Sequence, residues 1–142
     1  MKTLHVGLRV EDLERSLAFY TTVGYEVVGT VPETELGSLT MLALPGDEFV
    51  AVELVHHPTH GRVEPGGFSH LVIHVEDVRA MVAHLAARGI ETEQPNSPNG
   101  SADFWTAWVT DPDGYRIELV QWPAGHPDGM TRSDFADPGP SR

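Results

Sequence analysis

Four side chains able to bind a metal or move a proton fall at one common offset. His5 and His70 are 65 positions apart (70 − 5), and Glu53 and Glu118 are separated by the same 65 (118 − 53). Two imidazoles and two carboxylates make a nitrogen and oxygen shell. Such a shell suits a divalent first-row ion (Zn, Ni, Co, Mn or Fe) better than Ca or Mg, which favour all-oxygen ligation. In a six-coordinate site two positions would remain for water or for substrate oxygens. Taken singly, each residue is better explained by a solvated sheet face, but the shared offset of all four argues for a metal.

The text around the histidines repeats too. His5-Val6-Gly7-Leu8-Arg9-Val10-Glu11-Asp12 aligns with His70-Leu71-Val72-Ile73-His74-Val75-Glu76-Asp77, followed by Ala18 with Ala83, Gly24 with Gly89 and Glu26 with Glu91. That gives seven identities between residues 5 and 26, where background composition would give about one or two. Glu53-Leu54-Val55 likewise matches Glu118-Leu119-Val120. The chain therefore reads as two copies of one supersecondary module.

The elements of one copy follow from periodicity and punctuation. Residues 4–10 alternate as a strand, and Asp12 is placed to cap a helix that starts at Leu13 and runs out near Gly24. Tyr25 to Val31, Ser38 to Leu44 and Val50 to His56 read as three more strands, broken at Pro32 to Gly37 and at Pro45-Gly46-Asp47. The first half is thus βαβββ. The second half repeats the order: strand 68–75, helix 77–88 ended by Gly89, a short strand 90–94, and strands 104–110 and 115–122, the last two joined by the turn Asp111-Pro112-Asp113-Gly114. One domain over 1–122 is expected, with modules 4–56 and 68–122, a linker 57–67 and a flexible, Pro- and Gly-rich tail over 123–142 that is free to wrap a partner subunit.

Strand alternation puts the four residues on working faces. His5 shares a face with Gly7 and Arg9, and His70 shares one with Val72 and His74. Glu53 lies with Ala51, Val55 and His57, opposite Val50, Val52 and Leu54. Glu118 lies with Arg116 and Val120, opposite Tyr115, Ile117 and Leu119. A carboxylate set among aliphatic residues of a central strand is costly to bury unless it is paired or holds a metal.

Composition removes other classes. Nine Lys and Arg stand against 21 Asp and Glu, a formal charge of −12, which disfavours nucleic acid and anionic membrane surfaces as partners. The absence of cysteine excludes disulfides, thiolate nucleophiles and iron–sulfur ligation. No secretory leader and no membrane-length apolar run is visible, so a cytoplasmic protein is expected.

With the paired His and Glu, the βαβββ repeat and the run Val109-Thr110-Asp111-Pro112-Asp113-Gly114-Tyr115-Arg116-Ile117-Glu118-Leu119, the chain resembles the vicinal oxygen chelate superfamily over about residues 4–122. Within it the resemblance is greatest to glyoxalase I, the lactoylglutathione lyases. It implies an α+β fold of two tandem βαβββ modules curving into a half-open mixed barrel, the glyoxalase/bleomycin resistance/dioxygenase fold. One divalent metal per site would be held by His5, Glu53, His70 and Glu118, and a histidine as first ligand goes with nickel or cobalt more than zinc. It further implies a homodimer with the metal at or near the subunit interface, His5 and Glu53 coming from one subunit and His70 and Glu118 from the other. The substrates would be a 2-oxoaldehyde, methylglyoxal, and a thiol. Their hemithioacetal would isomerise to a lactoyl thioester, with Glu118 as the principal base and Glu53 as its counterpart. Arg9 occupies the position of an arginine that binds a carboxylate of glutathione.

The pattern departs after Glu53. Glutathione-using members continue with an Asn-Trp pair, whereas this chain reads Leu54-Val55-His56-His57-Pro58-Thr59, with His57 where the asparagine is expected. A different thiol or substrate is then a real alternative. His57 and His74 are placed as pocket residues, and Phe104, Trp108 and Trp122 as an apolar wall or simple core. His56, His57 and His60 read as polar loop residues in preference to a second metal site. Three other activities share the fold: coenzyme A thioester epimerase, extradiol dioxygenase with a two-histidine, one-carboxylate triad, and a metal-free small-molecule binding or resistance protein.

Overall fold

The computed structural model describes residues 1–136. Its elements are β1 (Val6–Arg9), α1 (Leu13–Val23), β2 (Glu26–Thr34), β3 (Gly37–Ala43), β4 (Val52–His56), β5 (His70–His74), α2 (Val78–Ala86), β6 (Trp105–Thr110), β7 (Arg116–Gln121) and a short 3-10 helix, η1 (Arg132–Phe135). The fold is α+β, with a four-stranded sheet in the order β1-β4-β3-β2 and a three-stranded sheet in the order β5-β7-β6. No helix among the described residues is long and apolar enough to cross a membrane.

Both helices start where a side chain replaces a missing backbone acceptor. Asp12 sits in extended conformation before α1 and accepts from the Arg15 amide, and Asp77 does the same before α2 for the Ala80 amide. Helix α1 stops at Gly24, whose φ of 131° lets its amide reach the Tyr20 and Thr21 carbonyls. Its Ser16, Phe19, Tyr20 and Val23 are buried at the spacing of one helical face.

In the first sheet β1 runs parallel to β4, with Val6, Gly7, Leu8 and Arg9 opposite Val52, Glu53, Leu54 and Val55. Strand β3 is antiparallel to β4 and to β2. Leu8, Thr40, Leu42, Val52 and Leu54 are buried on one face, and each fully buried aliphatic side chain contributes about 1.5–3 kcal/mol. Alternation places Glu53, Met41 and Arg9 on the other face.

Two expectations needed correction. The break expected over Pro32 to Gly37 narrows to a turn at Glu35 and Leu36: β2 continues through Pro32 to Thr34, with register shifts at Val27/Gly29 and Val31/Thr34. Strand β2 is the sheet edge, where a proline without an N–H costs no ladder bond. The turn leads directly into Gly37 at the start of β3, where φ is 111° and a Cβ would lie 2.2 Å from the His56 carbonyl oxygen. In the second half no strand forms over 90–94; two isolated antiparallel bridges, Thr92 to Val109 and Asn96 to Thr106, stand in its place. Pro95 and Pro98 flank Asn96 in this segment, and prolines cannot donate to a continuous ladder.

The chain divides into two compact units that do not coincide with the two sequence copies. The first comprises Met1–His70 together with Thr110–Arg116, and the second Leu71–Val109 with residues from Ile117 onward. The first unit thus takes in the Asp-Pro-Asp-Gly turn, and buried polar groups explain why. Tyr20 Oη donates to Asp111 Oδ2 at 2.7 Å. Asp113 accepts from the Glu11 amide, from Ser16 Oγ and from the Arg15 guanidinium. Tyr115 Oη donates to the Arg9 carbonyl at 2.9 Å. In the second unit Ile73, Val78, Leu85, Ala107, Val109, Ile117 and Leu119 are buried, and Gln121 Oε1 accepts from the Val78 amide at the start of α2. The tail as far as residue 136 includes η1; the expectation for residues 137–142 lies outside the described residues.

Candidate active site

The parallel pairing of β1 with β4 brings two of the four candidate ligands together. His5 precedes β1, and its Nε2–H donates to Glu53 Oε2 at 3.0 Å. Between them in register stands Gly7, opposite Glu53, so no side chain separates the pair. The Glu53 side chain is 13 % exposed and that of His5 is 35 % exposed, so the imidazole is open to solvent while the carboxylate is largely shielded. The pair sets one nitrogen and one oxygen donor face to face, and an ion bound between them would replace the shared proton.

The other two residues lie on the second sheet. His70 opens β5, where Ser69 Oγ meets its Nδ1 at 2.8 Å, a contact that fixes the ring's rotation. Glu118 is half-buried in β7 between the fully buried Ile117 and Leu119, so it points away from the core, as the alternation requires. Among the described residues no group of three or more His, Asp or Glu side chains is placed to hold a metal ion.

The remaining candidates divide among three places. Arg9 shares the His5 and Glu53 face and lines a cleft with His60, Arg62, Val63, Glu64 and Tyr115, about 290 Å³ in volume. His57 lines a separate cleft of about 380 Å³ beside Thr34, Gly37 and Ser38. Its Nδ1 accepts from the Thr59 amide at 3.2 Å and meets Thr59 Oγ1 at 2.8 Å, and its ring stacks on His60 at 4.4 Å. His74 Nε2 lies 3.7 Å from Asp128 Oδ1, so its partner is the tail. Phe104 stacks on Trp122 and Trp122 on His126, which ties these aromatics to the tail as well.

Sequence reading treated Asp111 and Asp113 as turn formers only. Both are buried. Burial pushes the Asp111 carboxyl above its ordinary range despite hydrogen bonds from Tyr20 and the Tyr115 and Asp113 amides, and burial beside Asp111 likewise raises the Tyr20 phenol. The linker residues Arg62 and His60 were also missed as site residues. The only available signal was their basicity in a strongly acidic chain.

Residues 2–119 match the family model of the Glyoxalase/Bleomycin resistance protein/Dioxygenase superfamily. The chain is 35% identical over 130 residues to a probable lactoylglutathione lyase of Vibrio cholerae, covering 88% of this chain and 94% of that protein. It is 33% identical over 122 residues to the lactoylglutathione lyase GLX1 of Arabidopsis thaliana, covering 83% of this chain but only 43% of the longer plant protein. Among solved structures it is similar to the trypanothione-dependent glyoxalase I of Leishmania major, with a TM-score of 0.70 and 30% identity over 85% of this chain and 86% of that one.

Proposed function

The chain belongs to the glyoxalase/bleomycin resistance protein/dioxygenase superfamily, and within it we propose that this is a glyoxalase I-like lyase that isomerises the hemithioacetal of methylglyoxal and a thiol to a lactoyl thioester. The observation that carries the reading is the His5 and Glu53 pair, 3.0 Å apart on an accessible face, in a chain 35% identical to a probable lactoylglutathione lyase.

The donor set fits a divalent metal. His5 and Glu53 supply one nitrogen and one oxygen already turned towards each other, and His70 and Glu118 supply a second pair at equivalent positions of the repeat. Nickel and cobalt are the proposed ions. When bound, such an ion supplies Lewis-acid polarisation of two vicinal substrate oxygens. The work of the chain itself is proton transfer and positioning. Glu118 takes the proton from the carbon that bears sulfur and returns it to the neighbouring carbon. The electron pair of the broken C–H bond becomes the C=C bond of an enediol and then the new C–H bond at the neighbouring carbon. The hydroxyl on the sulfur-bearing carbon gives up its proton and its O–H pair closes the new carbonyl, while the former ketone oxygen takes a proton and becomes the hydroxyl, so no atom is gained or lost. Glu53 is the counterpart base for the opposite substrate face. Arg9, on the same face as His5 and Glu53, holds the anionic end of the thiol.

The proposed assembly is a cytoplasmic homodimer, with His5 and Glu53 of one subunit completed by the partner's His70 and the partner's Glu118. It is supported by the exposed Val27, Val28 and Val31 on edge strand β2, an apolar strip suited to a subunit contact. The thiol is proposed to differ from glutathione. His57 replaces the expected asparagine, and its Nδ1 is already engaged by Thr59; the Leishmania major relative is itself trypanothione-dependent.

The test is thioester formation from methylglyoxal with a panel of thiols, nickel or cobalt being present, alongside metal analysis of the purified protein. Turnover with at least one thiol and one bound metal per subunit are expected. No turnover with any thiol would reject the lyase.

A further inference from the structure

The cleft formed by Arg9, His60 and Arg62 with Glu64 and Tyr115 gathers two of the chain's nine Lys and Arg residues. Neither guanidinium makes a side-chain hydrogen bond or ion pair among the described residues, whereas Arg15 is paired with Asp113. The cleft is shaped by the linker. Gly61 and Gly66 turn it with φ of 65° and 60°, and the Phe68 amide closes back on the Pro65 carbonyl. The floor is fixed from the other side, since buried Tyr115 holds the Arg9 carbonyl at 2.9 Å. Arg9 therefore has a fixed backbone and lines, with Arg62 and His60, a cleft of about 290 Å³, ample for a tetrahedral oxyanion.

We infer that this linker cleft is a subsite for a dianionic oxyanion of the phosphate-monoester class, carried at the far end of the thiol co-substrate. The inference rests on the lyase reading for the co-substrate and on the cleft alone for the anion. One guanidinium satisfies both oxygens of a carboxylate. Two guanidiniums and an imidazole converging on one cleft match three terminal oxygens and a charge near −2 better. The position also fits. Arg9 is four residues along β1 from His5, about 13 Å at the rise of a strand, so an elongated thiol could put its sulfur at the His5 and Glu53 pair and its phosphate in the cleft.

His60 adds a readout. Partial desolvation, then Arg9, then His57 hold its imidazole below the ordinary range. A dianion between His60 and the arginines would reverse that, so binding takes up a proton at His60. Glu64 is the opposing charge in the same cleft and weakens the subsite; Tyr115 stays neutral because burial and the nearby Asp111 and Asp113 raise its phenol.

The experiment is NMR titration of the metal-free protein with inorganic phosphate at constant ionic strength, with acetate as the comparison. It follows the Arg Nε–H resonances and the His60 ring. Saturable shifts at Arg9 and Arg62 and a raised His60 pKa are expected with phosphate. Arg62→Gln should weaken binding about tenfold, and Glu64→Gln should tighten it severalfold. Acetate acting as well as phosphate, drift without saturation, or unchanged affinity in Arg62→Gln would overturn the subsite. A thiol carrying a phosphate monoester should show a lower KM than its dephosphorylated form, by a margin lost in Arg62→Gln. If phosphate saturates but the two thiols share one KM, the cleft takes free phosphate and the co-substrate assignment fails. Failure of the lyase reading is distinct: no thiol would react, while the phosphate titration would still saturate.

Discussion

Tyr20 Oη donates a 2.7 Å hydrogen bond to Asp111 Oδ2 across 91 positions of sequence, and both residues are buried. The bond ties the first helix to the turn before the last strand. Replacing Tyr20 with Phe keeps the ring and leaves a buried carboxylate oxygen without its donor. A loss of about 1–3 kcal/mol is expected, measured by urea denaturation. An unchanged midpoint would mean that the bond contributes nothing to the first unit.

The role assigned to Glu118 separates binding from chemistry. Glu118→Gln should lower kcat by about 10²–10⁴ while metal content stays near that of the parent. His5→Ala should do the reverse in order, losing metal first and activity with it, because it removes the nitrogen that faces Glu53 at 3.0 Å. Metal analysis beside steady-state kinetics distinguishes the two.

Gly37 tests the hairpin turn. With φ at 111° and a Cβ placed 2.2 Å from the His56 carbonyl oxygen, Gly37→Ala must move backbone. A cost above about 2 kcal/mol is expected, read as a drop in Tm. Gly29→Ala, where a Cβ meets nothing within 4 Å, should leave Tm nearly unchanged.

The tail should titrate. His126 Nδ1 donates to the Pro127 carbonyl at 2.6 Å and its Nε2 to Asp134 Oδ1 at 2.8 Å, which requires both nitrogens to be protonated. The Pro127 and Asp134 bonds raise its pKa above 6.5. A group with a raised folded pKa contributes its stabilisation fully below the unfolded value and loses it as pH rises through the folded one. The contact should therefore hold below pH 6.5 and weaken as pH rises through the folded pKa. NMR titration of the His126 ring checks this, and Asp134→Asn should bring the pKa down.

The sequence was most legible where chemistry and geometry are local. Asp12 caps its helix as its position suggested, and the alternation around Glu53 and Glu118 matches the burial of Val52, Leu54, Ile117 and Leu119. The errors arose where a distant partner decides. Pro32 looks like a break until β2 is known to be an edge strand, and the 90–94 segment reads as a strand until its pairing is seen to be two single bridges. Arg62 and His60 gain meaning only once the linker folds over Arg9. Asp111 and Asp113 carry an ordinary turn signature, and nothing in it announces that their carboxylates belong to the first helix.

The placement of residues 110–116 with the first unit bears on the ancestry of the repeat. Cut at the linker, the first copy would keep Ser16, Tyr20 and Arg15 and lose both acids that they serve. At the same offset in the first copy stand Gly46 and Glu48 in place of Asp111 and Asp113, so it has no spare pair to offer in return. The two copies are therefore no longer interchangeable: the second holds the carboxylates that accept hydrogen bonds from the first helix of the other.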